Sequence, residues 1–185
     1  MCTRVFDNRF DHVSVVGRTL DCEVSDEARL WYFPEGHARS GGCDNSLTWD
    51  VAHRNLATSM WGVGTTEGMN EAGLSAHLLY LAASDFGSRD DRPGVSLLLW
   101  AQYVLDSFAS VVEALDHLDD VQIVQRPARG QILGAHLSLE DASGDSAIVE
   151  MLTGQPTVHH GREFRIMAND PTFDEQLASL GRYAP

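Results

Sequence analysis

The sequence is 185 residues long, 43% hydrophobic and 22% charged, which is the size and composition of one globular domain. Its 13 basic residues are all arginine, and against 27 acidic residues they give a net charge of −14. This charge repels phosphate backbones and argues against nucleic-acid binding, while the lack of lysine excludes Schiff-base and phosphate-loop lysine chemistry.

The chain carries no segment that resembles a membrane anchor or a secretion signal. Its longest apolar stretch, residues 95–104, is far shorter than the ~20 residues that span a bilayer, and the first residues lack the apolar core of a signal peptide. The cysteine count is odd, and the spacing of Cys2, Cys22 and Cys43 fits no zinc motif. We therefore predict a reduced, cytoplasmic protein without a metal or other cofactor, and without a membrane or nucleic-acid partner.

Two short strands are predicted at the amino terminus, at residues 2–6 and 13–19, because Val and Thr recur in both. A polar segment separates them and predicts a hairpin centred between residues 9 and 10. Cross-strand neighbours in a hairpin lie ~5 Å apart, so this register sets Cys2 beside Gly17 and Arg18. The predicted hairpin therefore places a positive charge next to a thiol.

The next segment predicts a loop followed by a hairpin. An apolar run at residues 30–33 stops at Pro34, which cannot donate to a sheet. Residues 35–55 contain two adjacent glycines and few apolar residues, which predicts a mobile loop. Short apolar runs then flank residues 70–73, where Gly73 supplies the positive φ that a hairpin turn requires.

Two helices are predicted after a charged loop. Pro93 suits a first helical position, and the apolar residues that follow have helical spacing, namely Leu97, Trp100, Ala101, Val104 and Leu105. A second helix is predicted over residues 110–118, with Ser110 as its cap. These helices are expected to cover one face of a sheet.

The last third of the chain returns to the two-residue period of strands. Tight turns separate the predicted strands, which cover residues 131–139, 146–151, 157–159 and 163–167. Strands joined by tight turns form an antiparallel meander, since parallel strands need long crossovers. The order of strands, helices and strands predicts an α+β domain.

Cys2 is the residue that most strongly indicates a catalytic role. Removal of Met1 would leave the thiol and the free α-amine on one residue, and an amine with a pKa of ~7.7–8.0 can accept and return a proton. Arg18 can lower the pKa of the thiol, and Asp21 can hold the terminal ammonium group. The alternatives are a cysteine without a role and a surface ion pair between Arg18 and Asp21.

Five ordered segments of the sequence resemble the landmarks of the choloylglycine hydrolase family, which includes penicillin V acylases and bile salt hydrolases. They are residues 1–3 (MCT), 17–21 (GRTLD), 68–74 (GMNEAGL), 141–146 (DASGDS) and 166–171 (IMANDP). The resemblance implies the four-layer α/β/β/α fold of the N-terminal nucleophile hydrolases. Because family members continue well past residue 185, we expect one incomplete domain over residues 1–185 that supplies the amino-terminal part of this fold.

The resemblance also implies roles for individual residues. Cys2 corresponds to the nucleophile, Arg18 to its charged neighbour and Asp21 to the residue that holds the amine. Asn169 corresponds to an oxyanion donor and Tyr80 to a second oxyanion contributor, where bile salt hydrolases have Asn and penicillin V acylases often have Tyr. Taken alone, Asn169 could be a turn residue and Tyr80 a core residue. The family's further catalytic arginine lies beyond residue 185.

We therefore expect a linear amide hydrolase of the penicillin V acylase type, which forms a thioester acyl-enzyme on a small-molecule acyl amide. Bile salts, acyl-homoserine lactones and N-acyl amino acids are alternative substrates. A non-catalytic fragment or binding module is an alternative of another class, as is a thiolate redox or metal module. A metal site formed by His136, His159 and His160 is disfavoured because adjacent strand residues face opposite ways. An uncovered sheet face leads us to expect a homo-oligomer.

Overall fold

Two antiparallel sheets that face each other, with helices on the outer side of the larger sheet, form the architecture of the computed structural model. The structure describes residues 2–10, 13–21, 25 and 27–183. The strands are β1 (Thr3–Phe10), β2 (Val13–Thr19), β3 (Arg29–Phe33), β4 (Ala38–Ser40), β5 (Thr48–Asp50), β6 (Asn55–Met60), β7 (Gly64–Asn70), β8 (Ser75–Tyr80), β9 (Gly94–Ser96), β10 (Gln122–Val124), β11 (Pro127–Ala128), β12 (Gln131–Ile132), β13 (Ala135–Glu140), β14 (Ser146–Leu152), β15 (Gln155–His160) and β16 (Ile166–Ala168). The helices are a 3-10 helix (Leu97–Leu99), α1 (Trp100–Ser107), α2 (Val111–Asp116) and α3 (Phe173–Leu180).

The larger sheet has seven strands in the order β15-β14-β13-β8-β7-β6-β3, and the smaller sheet has three in the order β16-β1-β2. Neighbouring strands are antiparallel throughout both sheets. Helix α1 packs on β7 and β8. The predicted α+β class with antiparallel sheets is confirmed. On the outer face of the smaller sheet, Val5, Val15 and Ile166 are about half exposed.

Strand alternation divides the side chains of the larger sheet between two cores. In β8, Ala76 and Leu78 pack in the helix-side core, whereas Leu79 points to the smaller sheet and packs against Cys2. The helix-side core is the larger of the two and takes in Trp100 and Leu105 of α1. Each fully buried side chain of this kind stabilises the fold by ~1.5–3 kcal/mol relative to an exposed one.

Two local predictions are confirmed by their hydrogen bonds. In the turn between β7 and β8, the side-chain oxygen of Asn70 accepts from the amides of Ala72 and Leu74, both at 3.1 Å, and Gly73 has a φ of 89°. At the start of α2, the Ser110 hydroxyl accepts from the Glu113 amide at 3.2 Å. Both are short-range interactions that a few adjacent residues specify.

The predicted mobile loop at residues 35–55 is wrong, because β4 and β5 pair within it. Apolar and charged contacts with the helical layer order this segment. The indole nitrogen of Trp49 donates to Asp106 of α1 at 2.9 Å, and the guanidinium of Arg39 lies 3.4 Å from the same carboxylate and 4.5 Å from the ring centroid of Phe33. These partners are distant in sequence, so composition alone predicts a loop.

The predicted helix start at Pro93 is also wrong. Residues 94–96 form β9, which pairs in parallel with β10, and the α-helix begins only at Trp100. The amide of Ser96 donates to the Gly41 carbonyl at 2.7 Å, so these backbone groups are used by another segment. Within the ranges that the structure describes, no helix is long and apolar enough to cross a membrane.

The register of the first hairpin differs from the prediction. The structure pairs Thr3 with Thr19 and Arg4 with Arg18, so Arg18 lies opposite Arg4 rather than beside Cys2. The polar residues interpreted as a turn extend β1 instead, because the Asn8 amide donates to the carbonyls of residues 144 and 162 at 2.7 and 2.9 Å. Long-range bonds to a later loop therefore move the turn and shift the register by three.

In the last third, the predicted strand at residues 131–139 is divided between β12 and β13, and the predicted strand at 163–167 shortens to β16. The antiparallel meander is confirmed for its first three strands, since β13, β14 and β15 are consecutive neighbours in the larger sheet. It is wrong for the fourth, because β16 pairs with β1 in the smaller sheet.

Candidate active site

Cys2 lies between the two sheets, immediately before β1. It is 5% exposed and belongs to a small apolar cluster. The cluster consists of Cys2, Leu79, Ile148, Met167 and Phe173, with Leu20 and Phe164 at its edge. Its members come from both sheets and from the start of α3, so three elements fix the position of the thiol. The thiol is not in a disulfide.

Asn169 directly follows β16, the strand that neighbours β1 in the smaller sheet. The pairing of β1 with β16 sets Thr3 opposite Ala168 and Arg4 opposite Met167, and one further step of this register sets Cys2 opposite Asn169. Directly opposed residues of antiparallel strands have their Cβ atoms about 4.5–5.5 Å apart on the same face of the sheet. The Asn169 side chain is 9% exposed, and its Oδ1 accepts no hydrogen bond from the described residues. An amide is thus held beside the thiol.

Asp170 joins the segment after β16 to the segment after β8. Its Oδ1 accepts from the backbone amide of Ala82 at 2.8 Å, which brings the ends of the two strands together. The prediction from sequence missed this role, because it named Asp170 only as part of the segment 166–171. An acidic residue directly after a candidate oxyanion donor was the signal available.

Tyr80 is the last residue of β8 and pairs with Ala135 of β13. It is 45% exposed, so it is not the core residue that was considered as an alternative. Alternation along β8 gives Tyr80 the same parity as Ala76 and Leu78, which pack on the helix side. Its predicted role as an oxyanion contributor remains a prediction.

Arg18 points from the smaller sheet into the space between the sheets. Its side chain is 4% exposed; Nη2 donates to the Leu78 carbonyl at 2.8 Å, and Nη1 lies 3.5 Å from Oε2 of Glu67. Extension of the β1–β2 register sets Leu20 opposite Cys2, so Arg18 is a diagonal neighbour of Cys2, with a typical Cβ separation of about 7–8 Å. The guanidinium is therefore buried near the thiol, although not in the predicted register.

Asp21 follows Leu20 at the end of β2 and is exposed. A hydrogen bond with the chain's amino terminus and the charge of that terminus lower the pKa of the Asp21 carboxyl. The partners described for Arg18 are Glu67 and Leu78. That terminus belongs to Met1, so the role of Asp21 in holding the amine of Cys2 stays a prediction.

A row of charged groups, buried except for the partly exposed Glu67, continues from Arg18 across the space between the sheets. Glu67 and His77 are cross-strand partners in β7 and β8, with Nδ1 of His77 3.6 Å from Oε2 of Glu67. Nε2 of His77 lies 3.2 Å from Oε2 of Glu140. Glu140 also forms an ion pair with Arg4. Cations and carboxylates therefore alternate along the row Arg18, Glu67, His77, Glu140 and Arg4.

The charge of each buried group is set by its neighbours. Burial lowers the pKa of His77, but the charges of Glu140 and Glu67 outweigh it and raise the pKa to about 9. Burial raises the pKa of Glu140, but His77 and Arg4 outweigh it and lower the pKa to about 2. At neutral pH His77 is therefore a cation and Glu140 an anion.

The histidines proposed as a rival metal site have separate contacts. His136 lies 3.1 Å from Glu150, His160 lies 2.7 Å from Asp145, and His159 stacks edge-on against Phe173. Across the described ranges, no group of three or more His, Cys, Asp and Glu residues is arranged to hold a metal. Cys22 lies outside the described residues.

Two facing antiparallel sheets with helices outside, and Cys2 between the sheets next to the start of the chain, match the fold of the N-terminal nucleophile hydrolases. Comparison with known proteins agrees with this class. The model of the linear amide C–N hydrolases of the choloylglycine hydrolase family matches residues 2–185, and the chain belongs to this family.

Two curated relatives and two solved structures illustrate the similarity. The chain is 38% identical to the penicillin V acylase of Pectobacterium atrosepticum (95% of this chain, 51% of that protein) and 29% identical to the bile salt hydrolase/transferase of Clostridium perfringens (99% and 57%). The penicillin V acylase structure from Agrobacterium tumefaciens superimposes with a TM-score of 0.90 at 43% identity, covering 98% of this chain and 56% of that one. A variant of the Clostridium perfringens conjugated bile acid hydrolase has the same fold, with a TM-score of 0.85 at 23% identity, over 100% of this chain and 58% of that one. The chain spans about half the length of the curated relatives it matches.

Proposed function

We propose that this chain carries the nucleophile of a linear amide hydrolase, and that Cys2 is that nucleophile once Met1 is removed. The observation that supports this most directly is the pairing of Thr3 with Ala168, which, extended by one residue, brings Asn169 opposite Cys2. A nucleophile needs a hydrogen-bond donor where negative charge develops, and a buried side-chain amide meets that need.

The reaction follows from these positions. The α-amine of Cys2 takes the thiol proton, and the sulfur attacks the amide carbon to form a tetrahedral intermediate. The side-chain amide of Asn169 donates to its oxyanion. The protonated amine returns its proton to the leaving amine, which gives a thioester, and water, activated by the same amine, then releases the acid. Asp21 holds the α-amine, and Arg18 stabilises the thiolate.

The proposed substrate is a small acyl amide with an aryl or medium-length acyl chain. Identity to penicillin V acylases is 38% and 43%, against 29% and 23% for proteins named for bile acids. The resemblance points the same way, since position 80 is Tyr, as it often is in penicillin V acylases, and not Asn, as in bile salt hydrolases. We expect faster initial rates on phenoxyacetyl and medium-chain acyl amides than on glycocholate. Faster bile-salt turnover would contradict this substrate assignment.

Substitution of the thiol tests the nucleophile. We expect Cys2→Ala to abolish amide hydrolysis with the fold intact, and Cys2→Ser to lose most activity, because an alcohol gives far less anion than a thiol at neutral pH. Cys43→Ala is the matched control, since it changes a free cysteine outside the site. Mass spectrometry should show one acyl adduct, on Cys2. Full activity in Cys2→Ala would exclude this proposal in favour of a non-catalytic module or another nucleophile.

Retention of Met1 tests the base. If Met1 stays, the nitrogen of Cys2 is an amide and has no useful basicity, so activity should rise with the fraction of processed protein. We measure that fraction by intact mass and compare it with the rate. An unprocessed protein with normal turnover would show that another base serves the thiol.

We further propose a cytoplasmic location and a site completed by protein outside these 185 residues or by a second copy. The missing part of the site is supported by three half-exposed apolar residues on the smaller sheet, Val5, Val15 and Ile166. Light scattering should therefore detect association. A monomer with full turnover would overturn it, and would remove the need for a further arginine.

A further inference from the structure

The buried row that starts at Arg18 contains two groups to which the proposed reaction assigns no role, Glu67 and His77. They are directly opposed in β7 and β8 and face the smaller sheet. Oε2 of Glu67 lies between two cations, 3.5 Å from Nη1 of Arg18 and 3.6 Å from Nδ1 of His77. A single carboxylate oxygen thus connects the site to the charged interior.

We propose that Glu67 and His77 are positioning residues: His77 holds the Glu67 carboxylate, and that carboxylate holds the Arg18 guanidinium beside Cys2. This inference rests on the proposed function for its catalytic consequence. The reactivity of the thiol tests it independently.

Arg18 needs this support because of what surrounds it. It lies directly opposite Arg4, and two like charges in opposed positions repel each other. Arg4 has its own carboxylate, Glu140, whereas the one carboxylate described beside Arg18 is Glu67. Nε of Arg18 is buried and donates to no acceptor among the described residues. Without Glu67, the Leu78 carbonyl would be the one partner of the guanidinium among the residues that the structure describes.

His77 in turn fixes Glu67 by its charge. The charged groups around its ring are Glu67 on β7, Glu140 on β13 and, beyond them, Arg4 and Arg18 on the smaller sheet. With a pKa raised to about 9, the ring remains a cation through neutral pH and loses its proton as the pH rises through about 9. Deprotonation would leave Glu67 with Arg18 alone, and the orientation of Arg18 would become less restricted.

The test compares two isosteric changes on one hairpin. Glu67→Gln removes the carboxylate beside Arg18 and keeps the side-chain size, and it is tolerable because Glu67 is partly exposed. Glu71→Gln is the matched control, since Glu71 forms an exposed ion pair with Arg54 in the adjoining turn. For both variants we measure the alkylation of Cys2 by iodoacetamide against pH, with the modified peptide identified by mass spectrometry.

We expect Glu67→Gln to slow Cys2 alkylation at pH 7 about three- to tenfold and to move the midpoint of the pH profile upward, because a displaced guanidinium stabilises the thiolate less. Glu67→Asp, which keeps the charge, should recover part of the rate. Glu71→Gln should match the parent. A merely structural effect would leave the midpoint unchanged, so identical midpoints in Glu67→Gln and the parent overturn the proposal.

His77→Gln gives the second arm and is checked for folding by circular dichroism. If it folds, its alkylation profile should lose the change above pH 9 that the parent shows; if it does not, Glu67→Gln decides alone. Amide hydrolysis is measured in parallel. A shifted alkylation profile in Glu67→Gln, combined with a parent protein that hydrolyses no amide, would refute the proposed function and keep the positioning role. Normal turnover in the parent with an unshifted profile in the variant would do the reverse.

Discussion

Replacement of Arg4 by methionine should be among the most destabilising single changes in this protein. The Arg4 side chain is fully buried and forms an ion pair with Glu140. It also donates to the Phe164 carbonyl at 2.8 Å and to the Ser146 hydroxyl at 2.7 Å. Arg4→Met removes all three interactions and leaves Glu140 with a buried charge that only His77 neutralises.

Loss of one partner from a buried ion pair costs about 3–5 kcal/mol, because the remaining charge keeps its desolvation penalty. In a domain of this size each kcal/mol lowers the midpoint of thermal unfolding by about 2–4 °C, so we expect a decrease of roughly 6–20 °C. Urea titration and thermal melts followed by circular dichroism measure both quantities.

Arg9→Met is the matched control, because Arg9 lies on the same strand and pairs with Asp7 at the surface. Exposed pairs contribute about 0–1 kcal/mol, so this variant should remain close to the parent. The double variant Arg4→Met with Glu140→Gln should recover part of the loss, since it removes the buried anion too. A loss below about 1 kcal/mol in Arg4→Met would refute the reasoning, because it would mean that Glu140 is not a buried charge that depends on Arg4.

Two further predictions concern the charged groups between the sheets and the hydrogen bond that joins the ends of β8 and β16. The pKa of Glu140 is lowered to about 2, so its stabilisation is present above the pKa of an unfolded glutamate and is lost as the pH falls through about 2. That of His77 is raised to about 9, so its stabilisation is complete below the pKa of an unfolded histidine and is lost as the pH rises through about 9. Denaturant titrations from pH 2 to 10 should show both limbs. Glu140→Gln should flatten both, because it removes the carboxyl that titrates in acid and the charge that raises the pKa of His77. Asp170→Ala should reduce kcat several-fold with a small loss of stability, since it frees the Ala82 amide; the exposed residue Asp174, changed to Ala, serves as control, and equal kcat values in the two variants would show that Asp170 has no such role.

Short-range features of the fold were predictable from sequence because adjacent residues determine them. The turn at residues 70–73 and the Ser110 cap depend on hydrogen bonds within four residues. The order of β13, β14 and β15 follows from turn positions. The resemblance supplied the fold and the site residues, which composition and periodicity alone could not assign to one function.

The predictions from sequence were wrong where contacts with residues far away in the chain determine the local structure. Asn8 resembles a turn residue, but its amide bonds to carbonyls more than 130 residues away and keep it in β1. Trp49 orders a segment of loop-like composition through Asp106. The charged row between the sheets was not predicted either, since Glu67, His77 and Glu140 lie on separate strands and meet only after the sheets form.

The alternation of charge along that row has a consequence for how the two sheets can slide. Apolar surfaces tolerate small translations, because one methyl group can replace another at little cost. A displacement of the smaller sheet by two residues would bring Arg4 or Arg18 against the wrong partner and bury an uncompensated charge, at a cost of several kcal/mol. The observed alignment of the two sheets therefore pairs Arg4 and Arg18 with their carboxylates, and a shifted one does not. The depth of Cys2 and its position opposite Leu79 are fixed by the penalty on every other alignment, even though the row itself need add little to the stability of the correct one.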